Sequence, residues 1–204
     1  MRTRFYTEDE LLGILIPRIM QFYSREQHLL RDDLCERSLV FRLGCILYNS
    51  FDGCSVHSEY NKFHDAYGAH SKSIPGQVHT YPDLIVFFDR IPINEPQNSL
   101  SLNQLFVEVK KSQNNRLQSD LNKLKWFTDD SYKLQYVLGC HLFLDVSCFI
   151  IVCHHHGYPY SVLKYEYDCI QNSCIGPQTQ EVPTWFEYHS FSDLNRMFPR
   201  GARG

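Results

Sequence analysis

Five consecutive apolar residues, Leu84–Phe88, constrain the fold of this chain more than any other segment. A short apolar run without alternation is typical of a β-strand that is buried on both faces. Such a strand needs other strands beside it and further layers above and below it. The sequence therefore predicts a central sheet that is covered by helices.

Helical patterns precede this strand, and strand-like patterns surround it. Residues 8–30 have helical spacing interrupted at Pro17, which predicts one kinked helix or two short helices. A second helix is predicted from Asp33 to Ser50, and further helices around 117–127 and at Ser192–Met197. Strands are predicted at Val56–Phe63, Leu84–Phe88, Leu105–Val109, Tyr136–Leu144, Val146–Cys153 and Ser161–Tyr167, with a polar loop after Phe63 and another at Asp89–Ser101.

The order of these elements, up to Cys153, is helix, strand, strand, strand, helix, strand, strand. Three strands before the crossover helix predict an α/β fold with a central mixed sheet of four to five strands flanked by helices. With 204 residues, of which 43% are hydrophobic, the chain suits a single domain, 1–204, with a full core. Neither of the common Gly-rich phosphate loops is present, so a doubly wound nucleotide-binding fold is not expected.

Charge and cysteine content narrow the function classes. The formal net charge of −3 argues against a non-specific nucleic-acid coat, although it allows an enzyme that meets phosphate at one site. Eight cysteines would suggest disulfides in a small secreted protein, but this chain is long, and its first residues do not predict a secretory segment. Its longest apolar stretch is far below the ~20 residues of a membrane span. We therefore expect a reduced, cytoplasmic protein that does not enter the membrane.

Three charged residues stand at the ends of neighbouring apolar segments. Asp83 precedes Leu84–Phe88, and Glu108 and Lys110 flank Val109 at the end of the next predicted strand. Side chains two residues apart in a strand project from the same face, so Glu108 and Lys110 emerge together. If the two strands are neighbours, Asp83 approaches Glu108.

Two carboxylates in a partly buried site repel each other unless a cation or a proton intervenes. An oxygen-rich pair suits a hard divalent ion such as Mg²⁺ or Mn²⁺, which retains water that can be activated. A lysine beside the ion can orient or deprotonate that water and can offset negative charge on a phosphate. The residue types therefore indicate phosphodiester hydrolysis.

The segments Tyr81-Pro82-Asp83-Leu84-Ile85-Val86 and Phe106-Val107-Glu108-Val109-Lys110 resemble the PD-(D/E)XK nuclease superfamily, in an uncharacterised bacterial branch. Asp120-Leu121-Asn122-Lys123-Leu124, on the following helix, is similar to segments of several such branches. The resemblance covers about residues 33–153, a restriction-endonuclease-like core. It leaves 1–32 as an N-terminal helical segment and 154–204 as a C-terminal extension.

This resemblance implies a metal-dependent nuclease that acts on nucleic acid, DNA rather than RNA. It implies Asp83, Glu108 and the backbone carbonyl of Val109 as metal ligands and Lys110 as the catalytic lysine. Glu36, on the helix before the first strand, matches a position where the superfamily often has another acidic residue. Cleavage would leave a 5′-phosphate and a 3′-hydroxyl. The sequence allows a homodimer but does not identify an interface.

Each of these residues also has a purely structural interpretation. Asp83 suits a turn after Pro82, and Glu108 and Lys110 suit a surface ion pair. Glu36 suits the first turn of a helix equally well. The candidates for substrate binding or support of the site are Glu59, Lys111, Gln113 and Lys123. The alternative for each of them is an ordinary surface residue with no role in the site. The stretch 110–133 has six basic residues and three aspartates, a local charge of +3 that suits a nucleic-acid backbone or a solvated helix face.

Two other functions remain open. One is a catalytically silent module on the same fold that binds nucleic acid or a protein partner. The other is a zinc-stabilised interaction domain that uses His154–His156, although adjacent histidines in a strand alternate faces and no compact Cys-x-x-Cys motif is present. The aromatic residues near the C-terminus, among them Trp185 and Tyr188, are interpreted as packing rather than base stacking.

Overall fold

The computed structural model describes residues 4–59, 62–65, 68–71, 80–90, 102–114, 117–132 and 134–198. In these ranges the helices are α1 (Glu8–Arg31), α2 (Glu36–Leu47), α3 (Gln118–Thr128) and α4 (Phe191–Arg196). The strands are β1 (Cys54–Ser58), β2 (Lys62–Asp65), β3 (Gly68–Ser71), β4 (Leu84–Phe88), β5 (Asn103–Lys111), β6 (Leu138–Leu144), β7 (Cys148–His155), β8 (Tyr158–Asp168) and β9 (Ser173–Glu181). The predicted mixed α/β class is confirmed.

Seven strands form the main sheet of the described residues, in the order β1-β4-β5-β6-β7-β8-β9. All neighbouring strands are antiparallel except β5 and β6, which are parallel and are joined through α3. The predicted count of four to five strands is wrong. The segment predicted to be an extension, 154–204, supplies β8, β9 and the last residues of β7.

Helices cover both faces of the centre of the sheet. One face carries Leu84 and Val107, which pack with buried residues of α1 and α2. The opposite face carries Ile85 and Phe106, which pack beneath Leu124 and Phe127 of α3. This double covering explains why all five residues of β4 are buried and why its sequence is continuously apolar.

Helix α1 begins with a capping box. The Thr7 hydroxyl accepts a hydrogen bond from the Glu10 N–H at 3.3 Å, and the Glu10 carboxylate accepts one from the Thr7 N–H at 2.8 Å. The helix continues through Pro17, so the predicted alternative of two short helices is wrong. Proline removes the bond to the carbonyl four residues earlier, here that of the exposed Gly13, which water can reach. No helix among the described residues is both long enough and apolar enough to cross a membrane.

Two predicted segments differ from the structure. The strand predicted at Val56–Phe63 is divided between β1 and β2, because Glu59 between them has a φ of 50°. The polar segment that follows contains β3, which pairs with β2 in a separate two-stranded sheet. Most of the loop predicted at Asp89–Ser101 lies outside the described residues.

Candidate active site

The antiparallel pairing of β4 and β5 brings Asp83 to the end of β5. Leu84, the first residue of β4, is paired with Val107 in β5. Asp83 precedes Leu84, and Glu108 and Lys110 follow Val107 on the face that α3 covers. The two segments that carried the sequence prediction are therefore neighbours.

β5 continues four residues beyond its last partner in β4, and carboxylates bind the backbone of this unpaired edge. The Asp83 Oδ2 accepts a hydrogen bond from the Val109 N–H at 2.7 Å. The Glu36 Oε1 accepts one from the Lys111 N–H at 3.1 Å. Since the N–H and C=O of one strand residue face the same side, the Val109 carbonyl also points towards the Asp83 side.

Glu108 is only 1% exposed, which is rare for a carboxylate. Its Oε2 lies 2.5 Å from the Lys123 ammonium, whereas its Oε1 has no hydrogen-bond partner among the described residues. Burial, and then the neighbouring charge of Asp83, raise the pKa of Glu108 well above its ordinary value. Burial also raises the pKa of Asp83, although the Val109 N–H and Lys123 oppose this shift.

Lys110 lies between two carboxylates from different helices. Its Nζ is 2.9 Å from the Asp120 Oδ2 on α3 and 3.3 Å from the Glu36 Oε2 on α2. Burial by itself lowers the pKa of Lys110, but Asp120 and Glu36 more than offset this effect, and the pKa is raised. Lys110 is therefore a charged ammonium at neutral pH.

Asp120 is the main site residue to which the sequence prediction gave no role. It is 5% exposed, and Lys123 lies one turn further along α3 with its Nζ 3.5 Å from the Asp120 Oδ1. The sequence does contain a signal for this residue in the segment 120–124, where an acidic and a basic residue three positions apart share a helix face. Such pairs are usually exposed, so the sequence did not indicate that this pair is buried against β5.

A buried chain of ring nitrogens and a hydroxyl lies next to Asp120. His141, which is paired in register with Glu108, has its Nε2 3.8 Å from the Asp120 Oδ2. Its Nδ1 lies 2.8 Å from the Tyr188 hydroxyl, which is also 3.3 Å from the Nε2 of His154. Burial lowers the pKa of His141 well below its ordinary value and that of His154 to about 3, so both rings are neutral.

Three predicted supporting residues do not bring their side chains to this cluster. Glu59 forms an exposed ion pair with Arg37 at 2.7 Å. The Lys111 side chain pairs with Asp33, and Gln113 is exposed in the turn after β5. The neighbouring Asn114, which the prediction did not include, donates a hydrogen bond to Glu36 at 3.0 Å.

Lys110 and Lys123 balance two of the four carboxylates of this cluster, which are Glu36, Asp83, Glu108 and Asp120. The acidic oxygens that are left suit a hard cation. Among the described residues, no group of three or more Cys, His, Asp and Glu side chains surrounds a common point as metal ligands do. The donor set that would serve is Asp83, Glu108 with its unpartnered Oε1, and the Val109 carbonyl, all of which are oxygen ligands of the kind that Mg²⁺ and Mn²⁺ take. These residues therefore fit such an ion.

The histidines proposed as zinc ligands have three different partners. His154 contacts Tyr188 in the core, His155 pairs with Glu8, and His156 pairs with Asp130. All eight cysteines are free thiols. In this arrangement His154–His156 do not form one metal site.

Comparisons of the chain with protein-family models, with curated proteins and with solved structures find no match. The functional interpretation therefore depends on the geometry and chemistry of this cluster.

Proposed function

We propose that this protein is a metal-dependent nuclease of PD-(D/E)XK type that hydrolyses phosphodiester bonds in nucleic acid, with DNA as the preferred substrate. The observation that supports this proposal best is the buried Glu108 beside Asp83, with one carboxylate oxygen that no described residue hydrogen-bonds. A buried, unpaired carboxylate oxygen is costly, and a divalent cation would stabilise it.

Asp83, Glu108 and the Val109 carbonyl would hold Mg²⁺ or Mn²⁺. When bound, the ion supplies a water of lowered pKa and polarises the phosphate. Lys110 acts as a fixed positive charge rather than as a general base, because its raised pKa keeps it protonated. Its contacts with Asp120 and Glu36 orient the ammonium, which offsets the charge that develops on the phosphate oxygens.

A second candidate is a catalytically silent module that binds nucleic acid or a protein. The ion pairs Lys123–Glu108 and Lys110–Asp120 favour it, since they neutralise two carboxylates of the cluster without a metal. In that case the cluster only stabilises the contact of α3 with β5.

A cleavage assay separates the two candidates. Purified protein is incubated with plasmid, linear duplex DNA, single-stranded DNA or RNA, and with Mg²⁺, Mn²⁺ or EDTA. For the nuclease we expect cleavage of DNA that EDTA abolishes, with 5′-phosphate ends, and a loss of about 100-fold or more in Glu108→Gln and in Lys110→Met.

Glu59→Gln is the matched control, because this carboxylate lies on the surface in an ion pair with Arg37. It should cleave like the unmodified protein. Equal cleavage by all the variants would point to a contaminant, and no cleavage under any condition would favour the silent module. Cleavage of RNA alone would contradict the proposed preference for DNA.

A further inference from the structure

A cleft of about 460 Å³ lies beside α3, between this helix, the turn from β7 to β8 and the segment 184–189. Its lining includes Asn122, Lys125, Tyr158, Trp185 and the buried pair His154 and Tyr188. This volume lies within the range of small-ligand sites in proteins. The cleft shares α3 with the candidate active site but is lined by other residues of the helix.

The cleft presents aromatic surface to the solvent. Trp185 is 80% exposed and Tyr158 is 49% exposed, which is unusual for such large aromatic residues. Lys125 and Glu187 both line the cleft, and their opposite charges cancel. An uncharged planar ring therefore fits this surface better than a phosphate or an acidic peptide.

Two buried side chains, His154 and Tyr188, complete the lining of the cleft. The Tyr188 hydroxyl lies 3.3 Å from the His154 Nε2 and 2.8 Å from the His141 Nδ1. These polar groups are bonded to each other, so the rings that the cleft exposes are those of Trp185 and Tyr158.

We propose that this cleft binds one unpaired base of the nucleic-acid strand, which stacks on Trp185. Nucleobases have flat uncharged rings, and exposed aromatic side chains are common stacking surfaces for single strands. The inference rests on the proposed function, because it assigns to the cleft a part of the same substrate. A helix is about 10–12 Å across, so a strand at the active site reaches the cleft within a few nucleotides of about 3.4 Å each.

Tryptophan fluorescence tests this site directly. The chain has two tryptophans, so Trp126→Phe leaves Trp185 as the single reporter. This variant is titrated in EDTA, where no cleavage occurs, with a single-stranded oligonucleotide of about eight nucleotides. The control oligonucleotide has the same backbone with an abasic residue at every position. We expect the bases, and not the abasic backbone, to quench Trp185.

Affinities measured by anisotropy of a labelled oligonucleotide test the stacking contact. Trp185→Ala in the full-length protein should weaken binding of the normal oligonucleotide about 10-fold. The same variant should bind the abasic strand as weakly as the unmodified protein does.

Equal binding of normal and abasic strands would overturn the inference, as would unchanged affinity in Trp185→Ala. A Trp185 signal that depends on protein concentration without oligonucleotide would overturn it too, in favour of self-association. If the protein cleaves DNA but the fluorescence of Trp185 does not respond, the cleft proposal is wrong and the nuclease proposal stands. If bases quench Trp185 but no condition gives cleavage, the nuclease proposal is wrong and the proposal of a base-binding cleft stands.

Discussion

At the residue scale, Lys123 is the internal counter-ion of the candidate active site. Its ammonium lies 2.5 Å from the Glu108 Oε2, 3.2 Å from the Tyr81 carbonyl and 3.5 Å from the Asp120 Oδ1. Three oxygens around one cation resemble part of a metal shell, so a divalent ion at Glu108 has to compete with this lysine.

Lys123→Met should therefore bind Mn²⁺ more tightly than the unmodified protein, by about 10-fold, which corresponds to 1.4 kcal/mol. Without metal it should be less stable by about 3 kcal/mol, because it leaves the buried Glu108 without its cation. Electron paramagnetic resonance of Mn²⁺ measures the affinity, and urea unfolding in EDTA measures the stability. Lys125→Met, at an exposed position on the same helix, is the control and should change neither quantity. Weaker Mn²⁺ binding by Lys123→Met would show that Lys123 is not a competitor.

The raised pKa values of Glu108 and Asp83 predict how stability changes with pH. A carboxyl whose pKa is higher in the folded than in the unfolded state holds its proton more tightly when folded. Its stabilising effect is complete below the unfolded value, about 4.5 for Glu, and is lost as the pH rises through the folded value. In EDTA, the free energy of unfolding should thus fall from about pH 4.5 towards neutral pH, and the fall should be smaller in Glu108→Gln. Urea unfolding across this range measures it, and an equal fall in both proteins would contradict the assignment to Glu108.

The sequence identified some of these residues because their signal is local. Asp83, Glu108 and Lys110 could be predicted because each adjoins an apolar strand, and the geometry of a strand fixes which side chains share a face. Asp120 could not, because its burial depends on the packing of α3 against β5. The exposed pair of Glu59 with Arg37 likewise depends on the turn at Glu59, which the strand pattern did not indicate.

At the element scale, the position of α3 depends on Gly139 in β6. A Cβ at this residue would lie 2.7 Å from the Thr128 Cγ2 and 3.3 Å from the Leu124 Cδ2, both on α3. Glycine thus allows the helix to approach the sheet closely enough for Asp120 and Lys123 to reach Lys110 and Glu108.

Gly139→Ala should lower the free energy of unfolding by about 1–3 kcal/mol, because the methyl group overpacks this contact. It should also weaken Mn²⁺-dependent cleavage, since α3 is displaced from β5. Gly13→Ala is the matched control: a Cβ there has no neighbour within 4 Å, and alanine in a helix interior stabilises by about 0.5–1 kcal/mol. Urea unfolding of both variants measures the contrast. A Gly139→Ala protein as stable as the unmodified one would show that α3 does not depend on this approach.

Helices and strands whose own sequence has a clear hydrophobic pattern could be predicted. Strands that form only because they pair with a neighbouring strand could not. β4 has the predicted bounds because a short, continuous apolar run is stable in a strand that is covered on both faces. β9, with the sequence SCIGPQTQE and mostly exposed residues, has no apolar alternation and exists because it pairs with β8. Tertiary pairing of this kind overrides local propensity.

At the scale of the whole molecule, the segment after β7 is part of the sheet and of the core. β8 and β9 extend the sheet beyond β7, and Tyr188, Leu194 and Phe198 pack in the same buried cluster as Phe143 and Val152. The hydroxyl of Tyr188 also contacts both buried histidines. The buried groups next to the candidate active site are therefore supplied partly by chain that lies outside the segment 33–153.

A chain that ends at Gly157 should fail to fold as a soluble protein. Seven of the eight residues of β7 are buried, and without β8 this strand becomes an exposed apolar edge, which favours aggregation. As the matched control, a protease site is placed in the β8–β9 turn, where Ile170 is 92% exposed. Cleavage there interrupts the chain but leaves both strands present, so the two pieces should co-purify and unfold together. Size-exclusion chromatography and far-UV circular dichroism compare the two proteins. The shortened chain could instead be soluble, unfold cooperatively and cleave DNA. That result would show that residues 1–157 are enough for the fold and that β8 and β9 are not required.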